Sequence, residues 1–287
     1  MAINNKAMLV RLTISQWTNR ALDSDGSQAV ADKFQINKNE GNYVKSLIDP
    51  LAMKPIINTI STIRKFHYEQ TLPWADEGVR ILASTNYFPY LQGMSEYKNK
   101  FESAVTQFIQ NYPTLVSEAQ QRKNGLFKGK DYPQDNKINS YFNITTTFMP
   151  FPTSSDFRVD IPEKELQEIK SKTDETLDNI AKQSVAECLT RLHTTVAHMA
   201  NRLTIYNAKT APFRDSLVDN IILLTSLIPR MNITSDVPLN HLCEEAEKLC
   251  TNSAEILRED LRIRNTTAAK ADGLAIQIRK HNLWRDA

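Results

Sequence analysis

The sequence predicts a mainly α protein, a long antiparallel helical hairpin or bundle with a small β element inserted between the long helices. Three observations lead there. Glycine is scarce, 7 residues in 287, about a third of average usage, while Ala, Leu, Lys, Glu and Gln fill long stretches. Apolar residues recur at spacings of three and four along two long segments. Between those segments, residues 125–160 drop the helical period and become aromatic and β-branched.

The elements follow in chain order. Residues 7–13 alternate weakly, with Met8, Val10 and Leu12 on one side and Leu9, Arg11 and Thr13 on the other, and read as a strand. Ser15 then offers an N-cap for a helix through Trp17 and Leu22, ended by the turn cluster Asp23-Ser-Asp-Gly-Ser27. Two short helices are expected at about 28–36 and 43–48. Behind Pro50, the set Leu51, Ile56, Ile57, Ile60, Ile63, Phe66 and His67 keeps helical spacing as far as Gln70. Pro73 and Gly78 mark residues 71–80 as an irregular connection.

Residues 86–124 form the first long helical region, striped by Leu91, Met94, Tyr97, Phe101, Val105, Phe108 and Ile109. Pro113 lies inside that pattern and is expected to bend or split it near Asn111. Residues 141–149 and Phe157-Arg-Val-Asp160 read as strands of a small antiparallel sheet, which residues 7–13 would extend. Pro162, Glu163 and Glu165 announce the longest helix, running to about Asn207. Its coiled-coil-like stripe is Leu166, Ile169, Thr173, Leu177, Ile180, Ser184, Cys188, Leu192, Val196, Met199 and Leu203. A helix from Pro212 to Pro229, another from Pro238 through Leu257 and a last at about 266–281 complete the chain. The expected organisation is 1–85 as an N-terminal strand and helices packed on the bundle, 86–210 as the hairpin with its β insertion at about 125–160, and 211–287 as C-terminal helices.

Several function classes lose support at this level. No GxGxxG or GxxxxGK[ST] pattern occurs, so no bound nucleotide or other cofactor is expected. His193 and His198 stand five apart, which turns them about 140° from each other on a helix, whereas metal-binding pairs stand four apart. Cys243 and Cys250 lie two turns apart near His241 without a fourth ligand, and burial as small apolar groups is the plainer reading for them and for Cys188. No serine sits in a GxSxG elbow. Neither catalytic residues nor metal ligands are therefore assigned, and the chain is read as a non-enzyme. Three cysteines without CxxC spacing and an N-terminus unlike a signal peptide lead to an intracellular expectation. The longest apolar run, 221–228, is far too short for a bilayer, so no membrane partner is expected. A net charge of +2 places any nucleic-acid contact in a local patch.

The segment 122–137 is such a patch, with five Lys or Arg against two Asp. Arg122, Lys123, Lys128, Lys130 and Lys137 supply phosphate-seeking cations, and Phe127 and Tyr132 supply rings on which unpaired bases stack. A plainer alternative is that the two rings pin the loop to the body while the lysines keep it solvated.

A set of blocks adds a resemblance. Asn5-Lys-Ala-Met-Leu-Val10 with Ile14-Ser-Gln-Trp-Thr18, Phe66-His-Tyr-Glu-Gln-Thr-Leu-Pro-Trp74, Asn111-Tyr-Pro-Thr-Leu-Val116, Asp131-Tyr-Pro133, Asp156-Phe-Arg-Val-Asp160 and Phe213-Arg-Asp-Ser-Leu-Val218 resemble recurring blocks of a helical protein family found in bacteriophages and prophages. The resemblance covers about residues 5–235 and carries no catalytic residues. It implies a protein of the infected bacterial cytoplasm with an accessory role near DNA metabolism, whose partners would include a phage AAA+ ATPase or another DNA-metabolism protein. Two readings follow. One is an interaction or adaptor protein that uses the helical hairpin as a lever or platform, alone or as a homo-oligomer; the other is a single-stranded nucleic-acid binder acting through residues 122–137.

Overall fold

The computed structural model describes residues 5–37, 40–74, 78–154 and 161–283. It is mainly α, with a small antiparallel sheet. Contacts divide the chain into two interleaved units, one of residues 1–11, 68–90 and 148–287, the other of residues 12–67 and 91–147. The division therefore differs from three consecutive blocks along the chain, because early and late segments of sequence share each core.

In the first unit, strand β1 (Ala7–Ser15) pairs antiparallel with β5 (Val79–Ala83), setting Ala7 opposite Ala83 and Leu9 opposite Ile81. Strand β4 (Leu72–Pro73) pairs with β5, and β6 (Asn143–Pro150) flanks β1, giving the order β4-β5-β1-β6. The period of two places Ala7, Leu9, Leu72, Ile81 and Ala83 in the helical core. Val10 and Leu82, on the opposite face, are also buried. The expected joining of residues 7–13 to the β insertion is found, while the segment 71–80, expected to be irregular, supplies β4 and β5. The strand expected at 157–160 lies outside the described residues.

Helix α4 (Glu163–Thr204) is the longest element, and its stripe from Ile180 through Leu203 is buried. It packs along α8 (Leu261–Leu283) and against α5 (Ser216–Met231) and α6 (Val237–Glu247). On α8 the buried positions Ala268, Ala271, Ala275 and Ile278 step by three and four, and the three alanines let the helix axes approach closely. The long helix packed along α4 within its unit is thus α8. Arg191 on α4 reaches back to residues 68–71. It donates to the carbonyls of Glu69 at 2.8 Å, Tyr68 at 3.2 Å and Thr71 at 3.1 Å, while Glu187 accepts from its Nε at 2.8 Å. The helix expected from Pro238 through Leu257 is interrupted: α6 passes into a 3-10 turn (Lys248–Thr251) before α7 (Ala254–Glu259), whose N-cap Ser253 accepts from Ile256 N.

The second unit corrects three expectations. Instead of a helix from Ser15, β1 runs to Ser15 and a short strand β2 (Arg20–Leu22) follows, paired with β3 (Val44–Ser46) where a second short helix was expected. Asp23-Ser-Asp-Gly-Ser27 opens a helix rather than closing one. Its first carboxylate accepts from Asp25 N and Gly26 N and so caps α1 (Ser24–Phe34). Helix α2 (Lys54–Glu69) buries Ile56, Ile60 and Ile63 as its spacing predicts. Helix α3 (Tyr87–Lys123) continues through Pro113. The proline is exposed and removes one backbone hydrogen bond, while the adjacent turns are anchored by Phe108 and Tyr112 around Trp17, with ring centroids 6.2 and 5.7 Å from it.

The buried seam of α4 generates a direct test. Leu192 is fully buried, and an unpaired carboxylate there is expected to cost several kcal/mol, comparable with a net stability of about 5–15 kcal/mol. Leu192→Asp should abolish cooperative thermal unfolding or lower its midpoint by more than about 10 °C; circular dichroism at 222 nm measures this.

Candidate functional site

The segment 122–137 lies over a buried ion cluster. Its centre is Lys45 on β3, whose side chain is 2% exposed. The Lys45 ammonium donates to Asp23 Oδ2 at 2.6 Å and to the Leu126 carbonyl at 2.6 Å, and it forms an ion pair with Asp131 Oδ2 at 2.8 Å, outside hydrogen-bonding angles. Two of its three N–H groups thus hydrogen-bond to oxygen, and the Asp131 carboxylate adds a close counter-charge. Desolvation opposes the charge, but Asp131 and Asp23 outweigh it and hold the Lys45 pKa above its ordinary value.

Asp23 serves two structures at once. Its Oδ1 caps α1, accepting from Gly26 N at 2.8 Å and Asp25 N at 3.1 Å, and its Oδ2 receives Lys45 and, at 3.3 Å, Lys128. The Lys45 hydrogen bond, then the Gly26 N–H, hold its carboxyl well below the usual carboxylate range despite burial. Lys128 also pairs with Asp25 at 2.9 Å, which raises the lysine and lowers Asp25.

The cluster decides what each residue of the segment can do. Lys123, in the last turn of α3, donates to the Ser46 carbonyl, and desolvation lowers its pKa. Tyr132 is buried, its hydroxyl donating to the Leu47 carbonyl at 2.7 Å, and burial pushes its pKa up. Phe127 lies against the Tyr132 ring, centroids 4.8 Å apart. Tyr112 holds the far side of the loop by donating to the Pro133 carbonyl at 3.0 Å, and burial moves its phenol to about 12. Arg122, Lys130 and Lys137 are exposed. Of the seven candidate residues in the segment, the structure therefore places Lys123, Lys128 and Tyr132 in internal contacts, half-buries Phe127 and leaves three cations on the surface.

Asp23, Asp25, Lys45 and Asp131 are the residues that sequence reasoning missed as a group. Asp23 carried a local signal, since Asp-Ser-Asp-Gly is also an N-terminal capping pattern. Lys45 carried none, because its partners lie 22 and 81 residues away. Elsewhere, burial pushes the Cys188 and Cys243 thiols up to about 12 and Cys250 to about 11, which keeps them protonated near neutrality. Among the described residues, no helix is long and apolar enough to cross a membrane, and no three His, Cys, Asp or Glu side chains gather as metal ligands. No protein family, curated protein or solved structure was found to match this chain.

Two outcomes follow from the cluster. Lys45→Met leaves Asp23 and Asp131 without their buried counter-ion and should destabilise the fold by about 3–5 kcal/mol in urea titration. The depressed Asp23 carboxyl supplies stability that is complete above its unfolded pKa, about 3.9, and is lost as pH falls toward its folded value. The wild-type melting temperature should therefore decline below about pH 4. Asp23→Asn, which retains a capping oxygen, should show a shallower decline in the same acid series.

Proposed function

We propose that this chain is a non-enzymatic interaction protein, an adaptor in phage DNA metabolism or host takeover that works in the cytoplasm of the infected bacterium. The reading rests on α4. A helix of 42 residues is about 63 Å long, and its fully buried positions lie at Ile180 and beyond. Its first four turns present Glu163, Lys164, Glu165, Glu168, Lys172, Glu175 and other exposed polar residues around the half-buried Leu166, Ile169, Thr173 and Leu177. One end is held in the core, and the other offers a charged helical face with an apolar seam. Such a surface suits helix-to-protein docking, and the hairpin expected from the sequence would use it as a lever. The partner class favoured by the block resemblance is a phage AAA+ ATPase or another DNA-metabolism protein; a second copy of the chain is the other candidate.

The test is capture from infected cells with wild-type protein and with a variant carrying Glu168→Lys and Glu175→Lys. These exposed changes should leave melting within about 0.5 kcal/mol of wild type and abolish recovery of a defined partner. Equal recovery by both proteins removes the assignment to α4.

Exposed Arg122, Lys130 and Lys137 favour a second reading, single-stranded nucleic-acid binding. If it holds, replacing these three with Ala should reduce the salt slope of oligonucleotide binding by about two to three units without unfolding. Lys128→Ala should instead reduce stability through loss of its pairing with Asp23 and Asp25. Fluorescence anisotropy at low salt measures the first effect, and its absence in wild type leaves the adaptor reading alone.

A further inference from the structure

Within the second unit, a groove of about 320 Å³ runs along the middle of α3. Its opposite wall is Ala52, in the 3-10 turn Pro50–Met53, and Pro55 at the start of α2. On α3 the lining residues fall into two lines. At about 100° per residue, Gln107, Asn111, Thr114 and Glu118 lie within about 60° of one another, and Ala104, Phe108 and Leu115 form a second line beside them. The first line is exposed; in the second, Phe108 is buried and Ala104 and Leu115 are half-buried. The groove therefore has a polar rail along one side of an apolar floor.

None of the four rail side chains makes a hydrogen bond or ion pair among the described residues. Thr114 differs in this from the other helical threonines of the unit. Thr59, Thr62 and Thr106 each give their hydroxyl hydrogen to the carbonyl four residues back, and Thr114 does not. A side-chain amide offers both a donor and an acceptor, the complement of a peptide group. Gln107 and Asn111 stand four apart, a rise of about 6 Å. Along an extended chain, the N–H and C=O groups that point to one side recur every two residues, about 6.6 Å. The two amides thus match successive peptide units of a chain laid parallel to α3. From Gln107 to Glu118 the rise is about 16.5 Å, which about five extended residues span.

Charge and size narrow the occupant further. Glu118 lines the groove at one end, and no Lys or Arg occurs in the lining among the described residues. A carboxylate there attracts a basic side chain and repels a phosphate. The volume lies at the small end of ligand clefts, about 300–1,000 Å³, and suits the alternate side chains of one extended strand.

We propose that this groove binds an extended peptide segment of about five residues, with aliphatic side chains at alternate positions toward the floor and a basic residue at the Glu118 end. The main chain meets Gln107 and Asn111, the aliphatic side chains cover Phe108 and Leu115, and the basic side chain pairs with Glu118. None of these residues belongs to α4, so the two surfaces stand or fail separately.

The test is a titration of the full chain with acetyl-LSLSR-amide, followed by backbone amide chemical shifts. Acetyl-LSLSE-amide and an LSLSR peptide N-methylated at alternate residues serve as comparisons. Saturable binding with Kd below about 1 mM and shifts centred on 104–118 are expected for the first peptide, with binding at least about fivefold weaker for the other two. Asn111→Leu should weaken binding about threefold to tenfold while the thermal midpoint stays within about 2 °C of wild type. Glu118→Lys should reverse the order of the Arg- and Glu-ending peptides, and the double variant Glu168→Lys, Glu175→Lys should bind like wild type. No saturation by about 5 mM, equal binding of the two charged peptides, or undiminished binding of the N-methylated peptide would each overturn the assignment. Shifts of the same amides with protein concentration alone, or with oligothymidylate in place of peptide, would also overturn it, in favour of a second copy or of nucleic acid.

Discussion

A buried ammonium needs counter-charge and hydrogen-bond acceptors, or the strand that carries it does not fold inward. Lys45 finds them in three places: it donates to the carboxylate that caps α1 and to the carbonyl of Leu126, and it pairs with a carboxylate in the loop after α3. Because the first of these also opens α1, one side chain ties β3, the start of α1 and the loop after α3 together. The apolar seam between α4 and α8 tolerates exchanges of similar volume, because dispersion contacts are many and individually weak. The Lys45 cluster has no such tolerance. Removing one partner strands a charge in a region of low dielectric.

That constraint also sorts the cations of 122–137. Lys128 is neutralised by the Asp23 and Asp25 carboxylates, and Lys123 has its ammonium committed to the Ser46 carbonyl, so neither is presented to a phosphate as Arg122, Lys130 and Lys137 are. Tyr132 has its face against Phe127 and its hydroxyl on Leu47, which leaves it committed to the loop's own packing. The plainer expectation, rings pinning the loop to the body, describes Tyr132 and Phe127 well. Within the segment, the exposed cations are Arg122, Lys130 and Lys137, which differ from Lys128 in having no carboxylate partner among the described residues. Counting basic residues along the segment therefore overstates the electrostatic field that a nucleic acid would meet.

Several features of this architecture were legible in the residues themselves. The spacing of Ile56, Ile60 and Ile63 determined α2, the stripe from Ile180 to Leu203 determined the buried face of α4, and the β-branched run near 143–150 determined a strand beside β1. In each case the periodic side-chain pattern is local and repeats often enough to stand out from composition. Tertiary structure alone decided that Asp23 opens a helix, that residues 44–46 form a strand against 20–22, and that the long partner of α4 is α8. Each of these outcomes turns on contacts between segments far apart in sequence. A carboxylate reads equally well as turn or cap until its distant lysine is in place, and an apolar stripe specifies that a face is buried without naming the helix that buries it.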